Sequence, residues 1–163
     1  MQLIRAGKRV KCEHGQFEMR AVTARHSLDM CKRQQFPFTL IFFDLDKFKE
    51  INDTYGHSEG DRALKTFAEQ IGESFRTSDI FARLGGDEFV VLLTNASNTV
   101  TEELVARFVV ALQTRCAKLG LPYSIQLSHG AVAYDVLKHA TVEDMLQEAD
   151  AAMYAHKKIK KKK

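Results

Sequence analysis

The 163-residue sequence predicts an α+β fold of the split βαβ type, with a central antiparallel sheet and flanking helices. Three observations support this prediction. Short apolar runs have the length and residue types of strands, amphipathic segments repeat with the helical period, and the two kinds follow one another in the order β-α-β-β-α-β. The length and the 45% hydrophobic content suit one domain. We expect the helices to pack on one face of the sheet.

The first half of the chain predicts a helix, a strand and a second helix. Residues 16–35 are charged and amphipathic and predict a helix that leads into the domain. The apolar run Phe38–Phe43 predicts a buried central strand. After a polar stretch, Ser58 and Asp61 match the capping pattern at a helix start. That helix has apolar residues at helical spacing, namely Leu64, Phe67, Ala68, Ile71 and Phe75.

The second half predicts a hairpin, a helix, a strand and a last helix. Two strand-like runs, 79–84 and 88–93, are separated by Gly85-Gly86-Asp87, whose glycines can adopt the positive φ angles of a tight turn. A helix over 100–119 and a strand over 123–134 follow. Thr141 and Asp144 then repeat the capping pattern at the start of the final helix.

Composition and charge point away from membranes, disulfides and nucleic acid. No run approaches the roughly 18 apolar residues of a membrane span, and the N-terminus has no signal-peptide pattern, so we expect a soluble cytoplasmic protein. The three cysteines are far apart and form no CxxC pair, which indicates neither a disulfide framework nor a zinc site. The net charge of +3 includes six lysines within residues 157–163, so the rest of the chain is mildly acidic. We expect residues 160–163 to be a solvated tail.

Carboxylates lie at the ends of two predicted strands. Asp44 and Asp46 end the first strand, and Asp87 and Glu88 lie in the hairpin turn. If these strands are neighbours, two to four carboxylates meet at one edge of the sheet, and such oxygen ligands suit Mg²⁺ with its bound phosphates. Either motif alone is also an ordinary strand end or turn. Cationic and amide side chains that could bind a nucleotide follow the first pair, namely Lys47, Lys49, Asn52 and His57.

Two sequence strings resemble the GGDEF family of diguanylate cyclases. They are FDLDKFKEINDTYGHSEGD over residues 43–61 and RLGGDEF over residues 83–89. A weaker likeness extends to ADAAMY over residues 149–154. The resemblance implies a palm of the nucleotidyl-cyclase type within residues 36–158. An atypical helical lead-in over residues 1–35 precedes it, and a lysine-rich tail over residues 159–163 follows it.

The resemblance also implies an activity. Such a domain condenses two GTP molecules into cyclic di-GMP and two pyrophosphates, with two Mg²⁺ or Mn²⁺ ions per active site. Each domain holds one GTP, so the family acts as a homodimer in which each 3′-hydroxyl meets the partner's α-phosphate. A sensor or regulatory domain elsewhere in the full-length protein would supply the input.

The family's functional residues carry over position by position. The side chains of Asp44 and Asp87 and the backbone carbonyl of Leu45 would bind the metals, and Asp87 would also be the catalytic base. Lys49 would stabilise the charge that builds on the triphosphate, with Glu88 as a further catalytic residue. The expected substrate-binding residues are Asn52 and Asp61 at guanine, His57 near the pocket, Gly85 and Gly86 beside the phosphates, and Lys157 on the phosphates.

Arg76 and Asp79 match the family's Arg-x-x-Asp inhibitory site, which binds cyclic di-GMP as feedback inhibitor. An Arg-x-x-Asp pattern by itself usually indicates a surface ion pair. At this distance before the hairpin we expect product inhibition, with Arg76 at a guanine or phosphate and Asp79 at a guanine edge.

Two other functions remain open. Residues 1–35 do not reproduce the segment with which family members usually begin, so a catalytically weak or silent module that binds GTP or cyclic di-GMP and regulates a partner is the main alternative. A nucleic-acid-binding domain would rest on the lysine run alone, without interleaved aromatic residues. We therefore expect no nucleic-acid partner.

Overall fold

The computed structural model describes residues 3–5, 8–10 and 37–160. The predicted helix over 16–35 and residues 161–163 lie outside the described residues. The strands are β1 (Leu3–Arg5), β2 (Lys8–Val10), β3 (Phe38–Asp46), β4 (Ile80–Gly85), β5 (Glu88–Thr94) and β6 (Gln126–Ala133). The helices are α1 (Phe48–Tyr55), α2 (His57–Ser74), α3 (Asn98–Lys118) and α4 (Val142–Lys160).

Four strands form one antiparallel sheet in the order β4-β5-β3-β6, while β1 and β2 pair only with each other. Strands β1 and β2 lie within residues 1–35, where the sequence analysis expected a helical lead-in. Strand β3 is central and pairs with β5 on one side and β6 on the other. The apolar run starting at Phe38 extends as a strand to Asp46, three residues beyond the predicted end. The α+β fold with its antiparallel sheet and flanking helices is therefore confirmed.

The expectation that all helices pack on one face is wrong. Ile41, Phe43 and Leu45 of β3 face a core built with α1, α2 and α3. Leu40 and Phe42 alternate to the opposite face. There they pack in a second core with four residues of α4, namely Val142, Met145, Ala149 and Met153. Because β3 is apolar on both faces, it requires a helical layer on each side.

The polar stretch after β3 forms a helix that the sequence analysis did not predict. Helix α1 begins directly after Lys47, whose left-handed φ of 58° turns the chain out of the strand. Ile51 is its buried residue, and Gly56 ends it with a φ of 87°. Helix α2 then begins at His57 without a side-chain cap, so the predicted capping role of Ser58 is wrong.

Strand β6 is shorter than predicted and begins at Gln126, not at residue 123. Its first residue pairs with Asp46, the last residue of β3, so the preceding residues have no strand beside them. Tyr123 instead donates a hydrogen bond from its hydroxyl to the Glu59 backbone carbonyl over 2.9 Å. Tertiary pairing, not β propensity, fixes this boundary.

Helix α4 confirms one predicted start and corrects one predicted end. The Thr141 amide donates to Asp144 Oδ2 over 2.8 Å, and the Asp144 amide donates to Thr141 Oγ1 over 3.2 Å, which is the predicted capping box. At the other end, the helix includes Lys160, which was expected in a solvated tail. Within the described part of the chain, no helix has the length and apolar character needed to span a membrane.

Candidate active site

The pairing of β3 with β5 brings the two acidic motifs together. Asp44 lies opposite Glu88 in the register, and the Leu45 amide donates to the Asp87 backbone carbonyl over 3.2 Å. Asp44 is buried, with 9% of its surface exposed, while Asp87 and Glu88 are half-buried. The sheet register therefore places three carboxylates of the sequence-predicted site beside the Leu45 backbone.

Burial and the concentration of negative charge raise the pKa of both carboxyl groups of the hairpin, Asp87 and Glu88. Burial and the charge of Asp44 raise the pKa of Asp87 above its ordinary value. Burial, then the charges of Asp87, Asp44 and Asp150, raise the pKa of Glu88. Like charges held together in a partly desolvated site favour binding of a cation.

Lysines of α4 lie against these carboxylates. Lys157 Nζ donates to Asp44 Oδ1 over 2.5 Å, and Lys160 Nζ donates to Asp46 Oδ2 over 2.6 Å. Burial lowers the pKa of Lys157, but the hydrogen bond and charge of Asp44 outweigh it, so the net pKa is raised. Lys157 is therefore a charged ammonium at the most buried carboxylate of the site.

The residues present fit a divalent cation. Asp44 and Asp87 offer hard carboxylate oxygens, and their mutual repulsion is relieved by a bound cation. Within the described part of the chain, no three His, Cys, Asp or Glu side chains form a metal-binding cluster. A metal here would therefore combine two carboxylates with backbone, water or phosphate oxygens, which is the coordination that Mg²⁺ commonly adopts.

The predicted guanine-binding residues Asn52 and Asp61 lie on α1 and α2, where the two helices meet. A Cβ at Gly60 would collide with the Asn52 side-chain oxygen, so Gly60 is what lets the Asn52 amide lie against α2. Asp61 is exposed near the start of α2 and interacts electrostatically with Arg83. These amide and carboxylate groups have the donors and acceptors that a purine edge requires.

Arg83 connects the junction of α1 and α2 to the hairpin. Its Nε donates to the Gly86 carbonyl over 2.8 Å, and its guanidinium interacts with the charges of both Asp61 and Asp87. Burial lowers the pKa of Arg83, and the two carboxylates oppose that effect. Gly86 has a φ of 48°, as the hairpin prediction required, and Gly85 has open space where a Cβ would lie.

Of the remaining predicted residues, three are exposed and one is buried, and Arg76 and Asp79 lie at the end of the β4–β5 pair opposite the hairpin. Lys49 is exposed on α1, and His57 is exposed at the first position of α2. Arg76 is exposed, whereas the Asp79 carboxylate is buried and accepts hydrogen bonds from the backbone amides of Arg76 and Thr94. Asp79 therefore stabilises the turn that leads into β4.

A family model described as "Diguanylate cyclase, GGDEF domain" matches residues 20–163. The chain belongs to the GGDEF domain family. The match spans nearly the whole chain and includes every carboxylate and lysine of the site described above.

Relatives and solved structures agree with this assignment. The GGDEF domain is 36% identical over 124 residues to diguanylate cyclase DosC of Escherichia coli, covering 75% of this chain and 26% of that protein. It superposes on diguanylate cyclase SiaD of Pseudomonas aeruginosa, solved with its activator SiaC, with a TM-score of 0.78 and 27% identity, covering 86% of this chain and 54% of that one. It also superposes on the active GGEEF domain of a Vibrio cholerae diguanylate cyclase, with a TM-score of 0.74 and 26% identity, covering 86% and 89% of the two chains. The chain spans about a quarter of the curated relative's length.

Sequence reasoning missed several residues of this GGDEF domain site. Ser128 donates from Oγ to Asp46 Oδ1 over 2.7 Å, and Lys160 also donates to the Leu127 carbonyl over 2.7 Å. Only strand pairing between β3 and β6 brings these groups together. Arg83 was visible in the sequence beside the hairpin, and its conjunction with an acidic turn was the signal that could have found it.

Two histidines that are far apart in the sequence also meet. The rings of His129 and His156 lie 4.6 Å apart although 27 positions separate them. The His129 amide lies 3.2 Å from His156 Nδ1. This contact joins β6 to α4 just before Lys157.

Proposed function

We propose that this GGDEF domain is a diguanylate cyclase that condenses two GTP molecules into cyclic di-GMP and two pyrophosphates. The reaction occurs between two domains of a homodimer, each holding one GTP. The observation that supports this proposal best is the position of Asp44 on β3 beside Asp87 in the turn that precedes β5, with the Lys157 ammonium on Asp44. One site then combines carboxylates that can bind a metal ion with a lysine ammonium that can bind phosphate.

The proposed metal site consists of Asp44, Asp87 and the Leu45 carbonyl. Two Mg²⁺ or Mn²⁺ ions bound there would neutralise the triphosphate and make the ribose 3′-hydroxyl easier to deprotonate. Burial and the charge of Asp44 raise the pKa of Asp87, and a carboxylate whose pKa is raised is a stronger base. We assign Asp87 as the base at the 3′-hydroxyl and Glu88 as a supporting carboxylate.

The cationic side chains act on the triphosphate. As each 3′-oxygen bonds to the partner's α-phosphorus, the bond from that phosphorus to the pyrophosphate oxygen breaks. Lys49 and Lys157 stabilise the charge that moves onto the phosphate oxygens. Gly85 and Gly86 let the backbone approach the phosphates. Asn52 and Asp61 bind guanine, and His57 lies at the edge of the pocket.

The proposal also covers regulation and location. Arg76 and Asp79 bind cyclic di-GMP as a feedback inhibitor, and a sensor or regulatory domain of the full-length protein controls dimerisation. The substrate is a cytoplasmic nucleotide, so the proposal places the domain in the cytoplasm.

The direct test incubates the protein at high concentration with GTP and Mg²⁺ and separates the nucleotides by chromatography. We expect cyclic di-GMP from the unmodified protein and none from Asp87→Ala. Glu102→Ala is the matched control, because it removes an exposed carboxylate from α3, on the face of the sheet opposite α4. Cyclic di-GMP formed equally by Asp87→Ala would contradict the assignment of the base.

One observation favours a second function, a silent module that binds GTP or cyclic di-GMP and regulates a partner. Lys157 already occupies Asp44 Oδ1, the carboxylate that a metal ion would need. If that ion pair persists, nucleotide could bind without turnover. Bound nucleotide with no product in the same incubation would support this alternative and overturn the cyclase.

A further inference from the structure

Two lysine–carboxylate pairs connect the end of α4 to β3. Lys157 and Lys160 are three residues apart and so share one face of the helix. Asp44 and Asp46 are two residues apart and so share one face of the strand. The spacings match, and each lysine reaches one carboxylate, over 2.5 Å and 2.6 Å.

The outer pair, Lys160 with Asp46, makes more hydrogen bonds than an ordinary surface ion pair. Lys160 Nζ donates to Asp46 on β3 and also to the Leu127 carbonyl on β6, over 2.7 Å. The second oxygen of Asp46 accepts the Ser128 hydroxyl over 2.7 Å. The Asp46 side chain is 12% exposed and that of Lys160 is 38% exposed. One ammonium therefore fastens the last turn of α4 to two adjacent strands.

The inner pair, Lys157 with Asp44, belongs to the proposed active site. Lys157 lies in the same last turn of α4 as Lys160. The backbone at a helix end frays readily unless a contact holds it. If the last turn of α4 frays, the Lys157 ammonium leaves Asp44, and ordering it again costs free energy when the triphosphate binds.

We propose that Lys160 is a positioning residue, which holds the end of α4 on Asp46 and the Leu127 carbonyl so that the Lys157 ammonium stays beside Asp44, ready for the triphosphate. Lys160 acts through Lys157 and has no contact with the substrate. The inference rests on the proposed function for the identity of the ligand, whereas the positioning of Lys157 is a property of the free protein.

Lys158 provides a matched control. It lies in the same turn and carries the same charge, but its ammonium lies 4.4 Å from the centroid of the Tyr154 ring. Lys158→Met therefore removes the same charge from the same helix end without touching either carboxylate pair.

The first experiment is a double-mutant cycle on the affinity for Mg²⁺ and a non-hydrolysable α,β-methylene analogue of GTP. We expect Lys160→Met to weaken binding about threefold, the effect of a partly exposed ion pair, and Lys158→Met to leave it unchanged. In a Lys157→Met background, Lys160→Met should have no further effect, because the residue it positions is absent. Equal weakening in both backgrounds, or none in either, would overturn the proposal.

The second experiment needs no nucleotide. An amine-acylating reagent is applied at low extent, and tandem mass spectrometry of the C-terminal peptide gives the labelling of Lys157 relative to exposed Lys158. We expect this ratio to rise several-fold in both Lys160→Met and Asp46→Asn, since ion pairing and order protect an amine. An unchanged ratio, with both variants folded by circular dichroism, would overturn the proposal. If the ratio rises but the unmodified protein binds no GTP analogue, the proposed function fails and the positioning of Lys157 stands.

Discussion

The Asp79 carboxylate is 8% exposed and accepts backbone hydrogen bonds from Arg76 over 2.8 Å and Thr94 over 3.2 Å. Removing it leaves two amides without this acceptor. We therefore expect Asp79→Ala to lower the free energy of unfolding by about 1–3 kcal/mol, measured by urea denaturation. A stability equal to that of the unmodified protein would show that water replaces the carboxylate without cost.

Arg76 gives the cleaner test of the inhibitory site because its side chain is exposed. If Arg76 binds cyclic di-GMP, Arg76→Ala should shift the inhibition curve to higher product concentration, by about tenfold or more for loss of a charge-assisted contact. The free energy of unfolding of Arg76→Ala should differ from that of the unmodified protein by less than about 0.5 kcal/mol. An inhibition curve that does not move would remove the inhibitory-site assignment.

His129 makes stability depend on pH. Its burial, and then the charges of His156 and Lys160, lower its pKa from 6.5 to about 4, and its Nδ1 has no hydrogen-bond partner among the described residues. The unfolded state binds a proton near pH 6.5, whereas the folded state resists it until about pH 4. The stabilisation is therefore complete above pH 6.5 and is lost progressively as the pH falls toward 4.

The matching variant is His129→Gln. Between pH 7.5 and pH 5, the free energy of unfolding of the unmodified protein should fall by about 1–2 kcal/mol more than that of His129→Gln, after allowing for the partial exposure of the ring. Urea denaturation of both proteins at the two pH values measures the difference. Parallel pH dependence would show that His129 titrates normally in the folded state.

At the scale of elements, α4 packs closely against β6 at Gly130, which has no side chain. A Cβ at Gly130 would collide with the α4 backbone at the Ala149 carbonyl and the Met153 amide. Helix and strand cannot separate locally, because Ala149 and Met153 are buried in the second core. Gly130→Ala should therefore lower the free energy of unfolding by about 2–3 kcal/mol, measured by thermal or chemical denaturation.

Gly85→Ala is the control for this substitution. Gly85 also lies in a strand, its φ is not positive, and a Cβ there meets nothing within 4 Å. Its stability should stay within about 0.5 kcal/mol of the unmodified protein. If Gly130→Ala were as mild as Gly85→Ala, the close approach of α4 to β6 would not be a constraint on the fold.

At the scale of the whole molecule, the proposed reaction needs two domains that face each other. In that proposal one domain supplies one set of Asp44, Asp87 and Lys157, which would hold one GTP. Specific activity should therefore rise with protein concentration until the dimer saturates. Initial rates over a hundredfold range of protein concentration measure this, and turnover per domain that is independent of concentration would contradict the dimer.

The sequence by itself determined the family, the types of most elements from β3 onward and the identity of most candidate residues. Strand β3 begins as a continuous apolar run, and Gly86 takes the positive φ that the hairpin turn needs, so both could be predicted locally. Helix α1 could not, because its polar residues resemble a loop, and what makes it a helix is the packing of Ile51 on the core and the left-handed turn at Lys47.

Only the tertiary structure decided which charges meet. Lys160 looked like the start of a solvated tail, and Asp46 and Ser128 are 82 positions apart, so no local pattern connects them. Their contact depends on the register of β3 with β6 and on α4 lying across the face of the sheet that the sequence analysis left uncovered. Propensity and periodicity describe neighbours along the chain, whereas a site of this kind is made by groups that strand pairing and helix packing bring together from far apart.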